Sequence, residues 1–469
     1  MCDVSEGIPS TPMTRFERKR VPGKCIKCKT AQPNVVIRGC LYCKPCFVRA
    51  SIAKFRTALS KSRKRAEGQP TDRAMVALSG GASSSSMLQL TLDYHRTVAM
   101  KGGSAQPLYG DIVAGHVDES ALFGAPVGDQ GGIAGIVGKG TALHCARLED
   151  VFAAGEEGEQ PVLLQIVRAN IAPGAGIDSF CAQLVRPADS AEVAPKERLA
   201  RLFAGLGSAT NREAMLEALK TFLLVRLART AGCNVLLLGD SATRIATKIV
   251  DLTSRGRGFS LPLEVSSESS WFAGLTAMRP MRDFTSKEIA FFVRWTAQRT
   301  VVVPTFTTGA LPRASIGRLT EAFVVGLDRD FASTVSTVCR TVQKLEPSPE
   351  ALSARPCIVC AMPVEPGAQA WRSRLTVSDP QQGQGLRRLD GPVADSGSVA
   401  LDIASHLCYS CQDVLHFADS DGLELPGFSV DRYRSQVAAQ PVAGEDESKH
   451  EALRKRVEHF FLADEDDDA

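Results

Sequence analysis

The chain has 469 residues, of which 44% are hydrophobic, and its 55 Lys and Arg against 52 Asp and Glu give a net charge of +3. That length leaves room for two or three domains with sizeable cores. No run of 18 apolar residues is present, which excludes a hydrophobic membrane-spanning helix. Residues 1–10 lack the apolar centre of a signal peptide. We therefore expect a cytoplasmic protein whose 14 cysteines are reduced.

The small net charge conceals a strong asymmetry along the chain. Residues 15–65 contain 16 Lys or Arg and a single acid, Glu17. A basic segment of this kind indicates a polyanionic partner. The last residues, 464–468, are all acidic, and we interpret them as a solvated tail.

The first predicted unit, residues 15–66, begins with paired cysteines. Cys25 and Cys28 form one Cys-x-x-Cys pair, and Cys43 and Cys46 form a second one 14 residues later. Four thiolates at this spacing suit a tetrahedral, structural Zn²⁺. Cys40 is a fifth thiol close by, and it could replace Cys43 as a ligand.

A basic helix is predicted directly after this zinc knuckle, over residues 47–65. Phe47, Ile52, Phe55 and Leu59 form an apolar stripe at helical spacing. Basic side chains surround the stripe, and we expect them to contact the phosphates of a polyanionic partner: Lys54, Arg56, Lys61, Arg63, Lys64 and Arg65. The alternatives are a solvated helix face or a nuclear-import signal around residues 61–65.

The second predicted unit, residues 67–345, alternates apolar runs with helical patterns. Candidate strands are residues 74–78, 112–117, 161–167 and 234–238, and candidate helices are residues 84–100, 211–231, 241–253 and 286–297. Such alternation predicts an α/β fold in which helices cover a mostly parallel sheet. The glycine-rich stretch 124–140 is expected to be a surface loop or insertion.

A glycine turn joins the first strand of this unit to its first helix. The strand runs into Ser79-Gly80-Gly81, and a serine run follows up to Ser86. Glycine permits a sharp turn and a close approach to a ligand, and a helix N-terminus attracts anions. The pattern favours a phosphate cradle, although a Walker lysine is missing. A simple strand-to-helix turn is the alternative.

The third predicted unit, residues 346–425, carries the other cysteine pairs. Cys357 and Cys360 are separated by 47 residues from Cys408 and Cys411. Two matched pairs again favour structural zinc, with a redox dithiol as the alternative. Residues 378–398 between the pairs are expected to form a mobile insertion. A polar linker, a short helix and the acidic tail are predicted over residues 426–469.

The glycine turn resembles the PP-loop of ATP pyrophosphatases, in which Ser-Gly-Gly-x-x-Ser opens a helix. The tRNA-thiolating members carry Lys and Asp at the two variable positions, where this chain has Ala82 and Ser83. The lysine would neutralise phosphate charge and the aspartate would help to hold Mg²⁺. The resemblance therefore implies a degenerate nucleotide loop formed by Ser79, Gly80, Gly81 and Ser84, and it leaves ATP binding doubtful.

Further motifs extend the resemblance over most of the chain. The segment Leu238-Gly239-Asp240-Ser241-Ala242-Thr243-Arg244 stands where active thiolases have Gly-His-Asn and acidic residues, and residues 207–213 lack their Cys-x-x-Cys. Arg279-Pro280-Met281-Arg282-Asp283 matches a motif that precedes a late helix in this group. With cysteine pairs on both sides, the pattern resembles the cytoplasmic tRNA 2-thiolation protein 2 family.

The resemblance implies a function without catalytic residues in this chain. It would be a non-catalytic subunit required for 2-thiolation of wobble uridine 34, and it would bind tRNA and support a catalytic thiolase subunit in a heterodimer. Sulfur would come from a thiocarboxylated ubiquitin-like carrier. Two alternatives remain open: an active ATP-dependent thiolase or amidotransferase with an unusual loop, and a zinc-bearing RNA-binding scaffold unrelated to thiolation.

Overall fold

The computed structural model describes residues 23–61, 72–101, 108–124, 132–138, 140–152, 193–331, 333–368, 371, 403–416 and 425–438. Several predictions lie outside these residues. They concern the strand at 161–167, the insertion at 378–398, the acidic tail, and Arg63, Lys64 and Arg65.

The described strands form a hairpin and a six-stranded sheet. Their bounds are β1 Val35–Ile37, β2 Cys40–Tyr42, β3 Arg73–Ala77, β4 Asp111–Asp118, β5 Leu143–Arg147, β6 Val235–Leu237, β7 Glu268–Ser269 and β8 Thr276–Met278. β1 and β2 pair antiparallel as the hairpin, and the sheet has the order β5-β4-β3-β6-β8-β7. Every pairing in the sheet is parallel except that of β7 with β8. The predicted α/β class with a parallel sheet is therefore confirmed.

Helices cover this sheet and build the flanking modules. Their bounds are α1 Lys44–Lys61, α2 Ala82–Lys101, α3 Ser120–Phe123, α4 Gly132–Val137, α5 Pro195–Gly205, α6 Ala209–Thr230, α7 Ala242–Ser254, α8 Leu261–Val265, α9 Ser286–Thr296, α10 Ile316–Asp330, α11 Thr334–Val342, α12 Pro349–Ser353, α13 Tyr409–His416 and α14 Gly427–Ala438. None of the described helices has the length and hydropathy that a bilayer crossing requires.

The central strand β3 is buried on both faces. Ala74 and Val76 belong to one apolar cluster, which includes residues of α1, α2 and α9, whereas Met75 belongs to another with Val225 and Ala228 of α6. Successive side chains of a strand point to opposite faces. A continuous apolar run is therefore what a strand covered on both sides requires.

The predicted strand at 234–238 corresponds to β6, whereas β5, β7 and β8 were not predicted from the sequence. β8 is only three residues long, too short for a period-two pattern, and β5 has mixed burial. The stretch 124–140, expected to be a loop, contains α4. The prediction for residues 426–469 was wrong for residues 427–438, because α14 places Phe428 and Tyr433 in the same core as the C-terminal cysteines.

The N-terminal module packs on the sheet domain through one buried carboxylate. Glu288 closes the capping box of α9 together with Thr285 and is buried. Its two carboxylate oxygens accept from Lys54 Nζ at 3.1 and 3.2 Å, and Arg38 donates to it at 3.4 Å. Beside them, the rings of Phe47 and Trp295 meet edge to face at 5.2 Å. One side chain therefore caps α9 and also holds α1 and the hairpin.

We expect Glu288→Ala to weaken the contact between the N-terminal module and the sheet domain. The substitution removes a cap and leaves Lys54 half-buried without its counter-ion, so the free energy of unfolding should fall by about 2–3 kcal/mol. Urea denaturation followed by tryptophan fluorescence measures it, because Trp295 lies at this interface. The control is Glu346→Ala at an exposed position. Equal effects of the two substitutions would contradict the role of Glu288 in holding the N-terminal module on the sheet domain.

Candidate metal centres and a degenerate nucleotide loop

The hairpin and the start of α1 bring four N-terminal thiols together. The sulfur atoms of Cys25, Cys28, Cys43 and Cys46 all lie within 4.8 Å of one another, and those of Cys28 and Cys43 are 3.9 Å apart. Cys40 lies on β2 and is not part of this group. The group could hold a metal ion, with Cys43 rather than Cys40 in the set.

Local hydrogen bonds favour the thiolate form of Cys28 in the first cluster. The side chain of Thr30 and the N–H groups of Ala31 and Thr30 lower the pKa of Cys28 to about 5. Thiolate is the form that binds metal. The loop after the first Cys-x-x-Cys pair therefore supplies both the turn and the donors that a metal-binding sulfur needs.

The second cluster joins the turn at residues 357–360 to the start of α13. Cys357, Cys360, Cys408 and Cys411 are all buried and lie within 4.8 Å of one another. The sulfurs of Cys360 and Cys408 are 3.6 Å apart. This group, too, could hold a metal ion, so the 47 intervening residues do not prevent the two pairs from meeting.

A buried arginine stands beside the second cluster. The Arg257 guanidinium lies 3.7 Å from Cys360 Sγ and donates to Glu264 at 2.8 and 3.0 Å. The pKa of Cys360 is well below its usual range, chiefly because the other cluster thiols donate to it. Sequence reasoning did not single out Arg257, since nothing in its local sequence indicates that it faces a cluster about 100 residues later.

Three of the described thiols outside the clusters, Cys145, Cys233 and Cys339, are unsuited to sulfur chemistry. Burial raises the pKa of Cys145 and of Cys233, and it raises that of Cys339, next to α7, to about 11. A thiol is nucleophilic only as the thiolate. These three side chains are therefore protonated near neutral pH.

The glycine loop is closed by its own side chains. Ser79 Oγ and Ser84 Oγ are 3.1 Å apart, and Ser84 Oγ donates to Gly81 O at 3.2 Å. Ser85 Oγ donates to Gly80 O at 3.0 Å. The hydroxyl groups are thus engaged with the loop backbone itself.

Apolar side chains cover the loop at Gly80. This residue has a φ of +82°, which glycine adopts freely, and an added Cβ would lie 2.7 Å from Ile133 Cδ1 and 3.1 Å from Val301 Cβ. The Val301 N–H also donates to Gly80 O at 2.8 Å. The space beside Gly80 is therefore filled by protein.

The second motif of the predicted site packs directly against this loop. Ser83 Oγ donates to Gly239 O at 2.5 Å, and a Cβ at Gly239 would meet Ser84 Cα at 3.1 Å. Asp240 pairs with Arg279 at 3.1 Å, while Thr243 Oγ1 accepts from the Ser286 N–H. Gly239, Asp240 and Thr243 of this motif thus make structural contacts here.

The basic helix shows two kinds of environment. Lys54 is paired with Glu288, and burial is the largest of the contributions that lower its pKa. Arg56 lies over the Tyr94 ring at 5.6 Å and donates to Thr97 at 3.5 Å. Lys61 ends α1, and the three basic residues at 63–65 lie outside the described residues.

Together, the fold and these groups define an α/β protein with a glycine loop and two four-cysteine centres that could hold metal. A family model described as cytoplasmic tRNA 2-thiolation protein 2 matches residues 315–413. A Bos taurus protein of that name is 30% identical over all of this chain and 99% of its own length. A Homo sapiens protein of that name is 34% identical, over 74% of this chain and 73% of its own. The chain belongs to the cytoplasmic tRNA 2-thiolation protein 2 family, as its motifs predicted.

A solved structure is also similar to this chain. It is the U34-tRNA thiolase NcsA from Methanococcus maripaludis with its 4Fe-4S cluster, at 14% identity and a TM-score of 0.45. The match covers 69% of this chain and 89% of that one.

The geometry of the first cluster predicts different outcomes for two neighbouring cysteines. Purified chain should contain two metal ions, Cys43→Ser should lose one of them, and Cys40→Ser should retain both. Mass-spectrometric metal analysis of protein purified without chelators measures the content. Loss of metal in Cys40→Ser with retention in Cys43→Ser would contradict the predicted ligand set.

Proposed function

We propose that this chain is a non-catalytic subunit of the cytoplasmic complex that converts wobble uridine 34 of tRNA to its 2-thio form. It binds tRNA and supports a catalytic thiolase subunit, with which it forms a heterodimer, and the sulfur comes from a thiocarboxylated ubiquitin-like carrier. Family membership supports the reaction, since the relatives are named for cytoplasmic tRNA 2-thiolation.

The observation that carries the non-catalytic role is the closed glycine loop. Phosphoryl and adenylyl transfer need positive charge on the phosphates and carboxylates for Mg²⁺. Ala82 and Ser83 supply neither, and Ile133 and Val301 occupy the space beside Gly80. The loop is therefore kept as a packing element between β3 and α2.

The distribution of thiols supports the same conclusion. Sulfur transfer through a protein requires a reactive thiolate. Among the described residues, the cysteines with lowered pKa values belong to the two clusters, where all four sulfurs face one another. A thiol committed to a closed four-sulfur site is not available as a sulfur carrier.

We assign structural zinc to both clusters. A tetrahedral Zn²⁺ with Zn–S bonds of about 2.3 Å places its sulfurs about 3.8 Å apart, close to the 3.9 and 3.6 Å that separate two of the pairs. An iron–sulfur cubane holds its thiolates farther apart, because an iron lies between each thiolate and the cluster centre. Zinc without iron in the metal analysis supports this assignment, and iron in either cluster would contradict it.

For tRNA binding we propose the basic N-terminal module. Residues 15–65 carry its positive charge, and their described part, residues 23–61, includes the four-cysteine knuckle and α1. Lys54 serves mainly to dock the module, because its charge is paired with Glu288. The phosphate contacts therefore fall mostly to Arg56, Lys61, Arg63, Lys64 and Arg65.

A loop substitution separates a packing role from a catalytic one. Gly81 has room for a side chain, because the nearest atom to an added Cβ is Ser79 Oγ at 3.6 Å. Expression of the Gly81→Asp variant in cells that lack the chain should therefore still restore 2-thiouridine. Cells that express the wild-type chain are the positive control, and cells with an empty vector are the negative control. Mass spectrometry of wobble nucleosides is the measurement.

The pure chain should also release no AMP from ATP in the presence of tRNA. The opposite result would be AMP release that tRNA stimulates and that the Gly81→Asp substitution abolishes. It would show an active thiolase and overturn the non-catalytic role. Normal thiolation in cells that lack the chain would overturn the thiolation role itself and favour an unrelated RNA-binding scaffold.

The tRNA proposal predicts a change in salt dependence. Replacing Arg63, Lys64 and Arg65 with Ala should lower affinity at low salt and flatten the log–log salt slope by roughly two to three, about one for each phosphate that is no longer neutralised. The matched control replaces Arg313, Arg340 and Lys344, which are exposed elsewhere. An unchanged slope in the first variant, with circular dichroism unchanged, would place the tRNA surface elsewhere.

A further inference from the structure

A cavity of about 670 Å³ lies on the opposite side of the sheet domain from α1 and the hairpin. Residues of α6 and α7 line it, together with Leu236 on β6, Ala277 on β8 and Cys360 of the second cluster. Asp240 and Arg279, just after these two parallel strands, also line it. Ligand sites of open α/β sheets form at this carboxyl edge. Residues of the glycine loop are not part of its wall.

The charged side chains around this cavity are almost completely paired. Seven acidic and seven basic residues line it, and six ion pairs connect them: Glu119–Lys220, Glu217–Lys248, Asp251–Arg255, Glu264–Arg257, Asp240–Arg279 and Glu321–Arg318. The seventh acid, Glu213, accepts from Thr307 at 2.7 Å and lies beside Gly317 in the first turn of α10, where a helix stabilises negative charge. Every acid of the wall is therefore compensated.

Hydrogen-bond donors remain on three arginines of the wall. The side chain of Arg255 is only 10% exposed, and its Nε has no hydrogen-bond partner among the described residues. The Nε of Arg318 also has no hydrogen-bond partner among the described residues, although the side chain as a whole is 37% exposed. Arg244 lines the cavity as the one basic residue outside the six ion pairs. Buried donors without partners are costly, so the Nε atoms of Arg255 and Arg318 indicate a missing acceptor. The Arg244 side chain is exposed at the same cavity.

The remaining wall is aromatic. Trp271, Phe272 and Phe306 line the same cavity, and Trp271 is fixed by donating its Nε1 hydrogen to Ala361 O at 2.7 Å. Aromatic faces stack on nucleobases, and guanidinium groups bind phosphate by paired N–H donors. A volume of this size is typical of small-molecule sites.

We propose that this cavity binds a nucleoside monophosphate, either a free nucleotide or one nucleotide of an RNA strand. Arg244, Arg255 and Arg318 hold the phosphate, and the aromatic wall receives the base. The site is separate from the glycine loop, so the chain keeps a nucleotide pocket although the loop has lost its phosphate-binding groups. The pocket also touches the second cluster through Cys360, so a bound nucleotide would lie next to the C-terminal module.

Binding to the full, metal-loaded chain tests this proposal by isothermal titration calorimetry. The probes are AMP for a free nucleotide, the 5′-phosphorylated trinucleotide pUUU for an RNA strand, and uridine without phosphate as the negative control. Two variants, Arg244→Ala and Arg255→Lys, should each weaken binding roughly tenfold. The Arg255→Lys substitution keeps the positive charge next to Asp251 but removes the Nε donor. Arg340→Ala, outside the cavity, should leave it unchanged.

Tighter binding of AMP than of pUUU identifies a free nucleotide, and the reverse identifies an RNA strand. The absence of binding of both phosphorylated probes at millimolar concentration would overturn the proposal. So would equal losses in the Arg244 and Arg340 variants, or binding of uridine as tight as that of the phosphorylated probes. Thiolation is not a readout, so the result is independent of the outcome for the proposed function.

Discussion

The burial of β3 on both faces is the constraint on which the rest of the structure depends. Its even-numbered residues pack against the layer that contains α1, α2 and α9, and its odd-numbered residues pack against α6. Because the strand is covered on both sides, its carboxyl end opens between the two layers. That edge positions the glycine loop, the segment after β6 and the cavity. Even a strand of three residues, such as β6, therefore helps to place these sites.

The two four-cysteine modules are joined to this core by buried charges rather than by apolar contact alone. Glu288 binds Lys54 and Arg38 of the N-terminal module while it caps α9. Arg257 binds Glu264 on α8 and stands beside Cys360 of the C-terminal cluster. A buried charge is tolerated only with its partner in place. Each pairing therefore favours one orientation of its module.

The glycine loop is occupied by contacts within the chain itself. Serine hydroxyls bond to the backbone that a nucleotide phosphate would otherwise approach, and Ile133 and Val301 close the space at Gly80. The segment after β6 likewise makes structural contacts, with Thr243 bonded to the start of α9. On the other side of the sheet, the arginine-lined cavity retains donors without acceptors. The chain thus combines a closed loop with an open pocket.

The sequence by itself determined the elements whose signals are local. Cysteine pairs two residues apart, the apolar run before Ser79 and the long periodic helices such as α6 identify their structures without distant contacts, because backbone preference and spacing suffice. The order of motifs also identified the family. Only the tertiary structure decided the rest: that Cys43 and not Cys40 faces the other three thiols, that Lys54 is used for docking, and that α14 completes the C-terminal core. The strands β5, β7 and β8 and the contact of Arg257 with Cys360 have no recognisable local sequence pattern. Their stability comes from partners far along the chain.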